Sequence, residues 1–147
     1  LTREAIALYL SKLSDRGIVV LHLSNRNLAL VSEAARVAHS LNAAYLYRIS
    51  DRFEQPYVSY YGGLAASVMI IAKSPETIGT LAINPDWRVF EAPPGRPWTD
   101  DYINLPRALW EGLSGAETCR IYTYLRECQA GAAVSDDTPT PDAQPSP

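Results

Sequence analysis

The sequence predicts an α/β fold built on one sheet. Helical and strand-like patterns alternate along the chain, and the runs Gly17–Leu23 ("GIVVLHL") and Ser67–Ser74 ("SVMIIAKS") are apolar, β-branched and of strand length. With 147 residues, 47% of them apolar, there is material for about one domain with a sizeable core.

Taken in order, Thr2 is placed to cap a first helix with Glu4 in its first turn, and Ile6, Tyr9, Leu10 and Leu13 recur at the spacing of one helical face. Asp15-Arg16-Gly17 reads as a turn. The Gly17–Leu23 run that follows is apolar on both faces, as expected for a central parallel strand. A second helix begins near Leu28, with Val31, Ala34, Ala35, Ala38 and Leu41 on one side. Ala43–Ser50 alternates as a strand. The link from there to Ser67 has no helical pattern but has Pro56 and Gly62-Gly63 as breakers, so the third strand is expected to return antiparallel. "SPETIGTLAIN" is a short helix or turn, and Pro93-Pro94-Gly95 is a loop leading into "WTDDY" and a last helix. Residues 130–147 are rich in proline and acid with little to bury, and are expected to be a disordered tail.

The net charge of -3 offers no field for collecting phosphates, which excludes nucleic acid and anionic membranes and leaves small cations as the better match. The apolar runs are far shorter than the ~20 residues of a membrane-spanning helix. Cys119 and Cys128 are too few for a disulfide framework, and with His22 and His39 the only histidines no metal site is expected. The chain is expected to be soluble and cytoplasmic. It starts at Leu1, immediately before a helix cap, and reads as an excerpt of a longer protein.

"LTREAIALYLSKL", "GIVVLHLSNRNLAL" and "WTDDYINL" together resemble the carboxyl-terminal half of a spermidine synthase-like domain, most closely the bacterial group in which that domain is fused to a transporter-like segment. The likeness spans most of residues 1–109, and "HLSNR" and "WTDDY" are its most specific pieces. It implies a Rossmann-like S-adenosylmethionine-dependent transferase fold, of which this is the carboxyl-terminal half only, ending in an antiparallel strand. On that reading residues 1–129 are the partial domain. The co-substrate of the full domain is decarboxylated S-adenosylmethionine, the acceptor is a polyamine, and the parent carries membrane helices. The glycine-rich turn and the catalytic aspartates of such domains lie upstream of the segment matched by Leu1, so the excerpt alone is expected to be inactive. A methyltransferase on the same scaffold and a non-catalytic truncated fold are the alternatives.

Candidate binding residues fall in two stretches. His22, Asn25 and Arg26 stand at the carboxyl end of a strand, where open α/β sheets bind ligands, and Arg26 is suited to a carboxylate. His22 is equally readable as a core histidine, and Asn25 as a turn or cap residue. Trp98, Asp100, Asp101 and Tyr102 suit an alkylammonium ligand through charge and cation–π contact. The competing reading makes Thr99 or Asp100 the N-cap of the last helix. Tyr57, Tyr60 and Tyr61 are read as cross-strand packing or as one wall of a pocket. The strand with which Gly17–Leu23 would normally pair lies upstream on that resemblance, so in this excerpt Gly17–Leu23 is expected to be a sheet edge, open to self-association.

Overall fold

In the computed structural model the described residues are 1–25, 27–50 and 66–117. Arg26, the tyrosine-rich stretch 51–65, both cysteines and the tail 130–147 lie outside them. Among the described residues seven elements are formed: α1 (Arg3–Lys12), β1 (Ile18–His22), α2 (Leu30–Ser40), β2 (Ala44–Ser50), β3 (Ala66–Ala72), α3 (Pro75–Ala82) and α4 (Leu105–Leu113).

Thr2 caps α1 as its position predicts, its hydroxyl accepting the N–H of Ala5, with Glu4 in the first turn and Lys12 in the last. Ile6 and Leu10 are buried, but Tyr9, expected on the same face, is 54% exposed. At 100° per residue Tyr9 lies about 60° from the direction of Ile6, outside the narrow stripe that meets the core. The turn at Asp15-Arg16 is closed by Gly17 N–H donating to the carbonyl of Ser14.

The sheet has the order β1-β3-β2, with β3 antiparallel to both neighbours. The antiparallel return expected between β2 and β3 is therefore present, in a register running from Ala44↔Ala72 to Ser50↔Ala66. β1 and β2 run the same way without touching, and α2 connects them. β1 lies at the sheet edge, as expected for this excerpt, but one expectation is corrected: its pairing is antiparallel, not the parallel pairing of a central strand. Its apolar residues on both faces do not reflect cover on both faces, since Val20 is 60% exposed. The Leu23 N–H continues the ladder to the carbonyl of Ser67. By antiparallel alternation the backbone groups of Ile18, Val20 and His22 then face away from β3.

Each sheet face has its own core. α1 and α2 cover one face, where Met69 and Ile71 pack with Ile6, Leu10, Val31 and Tyr47. Ala34, Ala35 and Ala38 are wholly buried, and their small side chains let α2 lie close to the strands. α3 covers part of the other face, with Ile78 against Leu46, Ile70 and Ala72. The chain then passes back along β2 through a Tyr47↔Arg88 bridge, which brings Phe90 edge-on to Tyr47 with ring centroids 5.4 Å apart. Asn42 takes the left-handed conformation (φ 52°) in the turn between α2 and β2, a position asparagine tolerates better than most residues.

α4 is turned inside out. Its buried residues are Ala108 and Glu111, whereas Leu109, Trp110 and Leu113 are exposed. Gly112 explains the close docking of the inward face: a Cβ there would collide with the carbonyl of Asn27. Ala29 N–H donates to the carbonyl of Ala108 across the same contact, 3.0 Å. No helix among the described residues is long and apolar enough to cross a membrane.

Candidate functional site

The end of β1 gathers His22, Ser24 and Asn25. All three are exposed, so His22 is not a core histidine. The Ser24 hydroxyl lies 3.0 Å from His22 Nε2 and accepts the N–H of Ser67 at 2.8 Å. This fixes the serine at the first position past the β1–β3 ladder and ties the imidazole to it. The Asn25 side-chain oxygen accepts the N–H groups of Asn27 and Leu28, both at 2.9 Å, so it turns the chain. It does not cap α2, whose N-cap is Ala29.

"WTDDY" forms a tight turn. Thr99 and Tyr102 exchange backbone hydrogen bonds of 2.9 and 3.2 Å, which leaves Asp100 and Asp101 at the two central positions. The expectation that Thr99 or Asp100 caps the last helix is corrected: the N-cap of α4 is Asn104, whose side chain accepts the N–H of Arg107, with Pro106 in the first turn. The aspartate turn serves the other end of the chain instead. Asp100 Oδ1 accepts the Thr2 hydroxyl at 2.7 Å, Asp100 N–H donates to Glu4 at 3.0 Å, and Arg3 N–H donates to the carbonyl of Trp98 at 2.9 Å. Trp98 and Asp100 thus finish the amino end of α1, where an acid also favours the helix dipole.

Around that turn, Trp98 is only 7% exposed, and its indole N–H and the Thr99 hydroxyl are buried with no hydrogen-bond partner among the described residues. The guanidinium of Arg96 lies 4.2 Å from the centre of the Tyr102 ring, on the face a cationic ligand would use. Asp101 is exposed, and is the acid of the pair left facing solvent. α1 begins beside this turn and the chain reverses into β1 after it, which puts "WTDDY" and the carboxyl end of β1 toward the same end of the sheet. No hydrogen bond or ion pair among the described residues joins the two groups.

A third cluster was not anticipated from the sequence. Glu33 and Arg36 on α2 are almost wholly buried. Arg36 Nη1 meets Glu33 at 2.7 Å and its Nη2 meets Glu111 of α4 at 2.6 Å, while its Nε donates to the carbonyls of Pro93 and Pro94. Arg107 of α4 holds both Glu33 oxygens, at 3.1 and 2.9 Å, and reaches the carbonyl of Arg96 at 2.8 Å. Gly95 (φ 129°) lets the loop pass this close, since a Cβ there would meet the Arg107 guanidinium. The only hint in the sequence is that Glu33 and Arg36 stand among residues of the alanine-rich face, next to the helix positions expected to pack.

Among the described residues, no group of three or more His, Cys, Asp or Glu side chains is placed to hold a metal ion. No family model matches the chain, and no curated protein or solved structure is found similar to it.

Proposed function

We propose that the chain is the carboxyl-terminal half of a Rossmann-like transferase domain that, when complete, moves an aminopropyl group from decarboxylated S-adenosylmethionine to putrescine. The observation that carries this reading is the position of β3, antiparallel between two like-directed strands that a helix connects. This agrees with the antiparallel strand that the resemblance to spermidine synthase-like domains implies. "HLSNR" and "WTDDY" supply the functional half of the argument.

The reaction is attack by a neutral amine on the carbon beside a sulfonium. A C–N bond forms, the C–S bond breaks with its electrons going to sulfur, 5′-methylthioadenosine leaves and the amine gives up a proton. In this chain Asp101 is the acid open to an ammonium group, and His22 with Ser24 supplies polar groups at the strand end facing the ligand side. The residues that hold the nucleotide and accept the proton belong to the upstream half.

The test is an assay of the longer protein that contains this chain, supplied with decarboxylated S-adenosylmethionine and putrescine. Spermidine and 5′-methylthioadenosine are expected in equal amounts, with Asp101→Asn raising the KM for putrescine severalfold and leaving the melting temperature unchanged. Methyl transfer from S-adenosylmethionine in place of aminopropyl transfer, or neither product, overturns the reading.

A further inference from the structure

α4 carries its charges inward and its large apolar side chains outward. Arg107 pairs with Glu33 and Glu111 with Arg36, and the helix has no other charged residue. Leu105, Leu109, Trp110 and Leu113, with Ile103 just before the helix, are between 41% and 73% exposed. The outward face is therefore apolar from end to end. A contiguous apolar patch of this kind on a folded protein marks a contact surface.

The spacing on that face says what fits it. Leu105, Leu109 and Leu113 recur every fourth residue and form one stripe along α4, about 12 Å long at about 1.5 Å per residue. Such a stripe reads the same from either end. Turned end for end about a two-fold axis at Leu109, one copy sets its Leu113 against the Leu105 of the other, with Trp110 flanking the seam. No charge opposes a like charge across it, because Arg107 and Glu111 of each copy are held inward.

We propose that the outward face of α4 joins two copies of this chain as an antiparallel helix pair. At their exposures the five apolar side chains leave on the order of 500 Å² per copy in water, so a symmetric pair buries on the order of 1,000 Å². That is the low end of what a specific interface needs, and a reversible dimer follows. A lipid surface is the poorer occupant. Helices that lie on membranes bring Lys and Arg to the flanks of the apolar face, whereas the one basic residue of α4 is held by Glu33 and the acids Asp100 and Asp101 precede the helix. This inference is independent of the transferase reading.

The experiment is sedimentation equilibrium of the whole 147-residue chain over a range of concentrations. Wild type should dimerise with a Kd on the order of 10–100 μM. Leu113→Glu sets a carboxylate against Leu105 and should weaken the dimer at least about tenfold, with the melting temperature of the dilute protein unchanged because the side chain is exposed in a single copy. Val20→Lys, on the β1 edge, should leave the dimer intact. A wild type that stays monomeric, or a dimer kept in Leu113→Glu and lost in Val20→Lys, overturns the proposal, as does binding of a monomeric chain to phosphatidylcholine vesicles through Trp110. Should Leu113→Glu fail to fold, wild type alone decides: methyl resonances of Leu105, Leu109 and Leu113 that move with protein concentration support the pair, and resonances that stay fixed refute it.

Discussion

α2 is held on two sides by opposite means. Toward the sheet it presents Val31, Ala34, Ala35 and Ala38 to Met69, Ile71 and Tyr47, an apolar contact that tolerates small changes of shape. Toward α4 it presents Glu33 and Arg36 to Arg107 and Glu111, where each partner's cost of burial is met only while the others are in place. The apolar side contributes most of the stability from area removed from water. The charged side contributes little net energy but is severe when broken, and it dictates where α4 and the 93–96 loop must sit.

The contrast is sharpest for Arg36→Ala. Removing the hub takes from Glu33 one of its two arginines and from Glu111 its 2.6 Å ion pair, in a buried site, and should cost about 3–5 kcal/mol in urea unfolding. Met69→Ala, on the apolar side, should cost about 2–4 kcal/mol, since a wholly buried side chain leaves a cavity between sheet and helices. If Arg36→Ala proves much the milder of the two, water reaches the charged side and the distinction fails. The aspartate turn lies at the small end of the scale. Asp100→Ala removes the acceptor of the Thr2 hydroxyl and should cost about 0.5–1 kcal/mol, whereas Asp101→Ala should stay within about 0.5 kcal/mol. Equal effects of the two aspartates would mean that the turn does not support α1.

Local signals were read correctly where the interaction that decides them is itself local. Thr2 and Glu4 announce α1 because a cap and its helix are neighbours in sequence, and the apolar run through Val19 and Val20 announces β1 because strand propensity is a property of the run. What the run could not convey was the direction of its pairing, because that depends on β3, which comes much later in the chain. The same reason hid the charge cluster: "SEAARVA" reads as an ordinary amphipathic helix until Arg107 and Glu111 are brought against it. In "WTDDY" Thr99 or Asp100 was read as a cap, beside the reading of the acids as an amine contact, and the structure uses Asp100 to finish a helix, but it is α1 rather than the helix that follows. Asn104 with Pro106 behind it was the better local signal for α4, and the adjacent aspartates drew attention from it. His22 and Asn25 were placed at a strand end from sequence alone, and the hydrogen bond that joins His22 to Ser24 needed coordinates.

The position of β3 also governs the order of assembly. β1 and β2 share no hydrogen bond, so neither can pair among these three strands until residues 66–72 have been made. β2 then meets β3 across a short span, closing first at Ser50↔Ala66, whereas the Ile18↔Ala72 pairing must close a loop several times longer. Of these three strands, the one made first is the last to join β3.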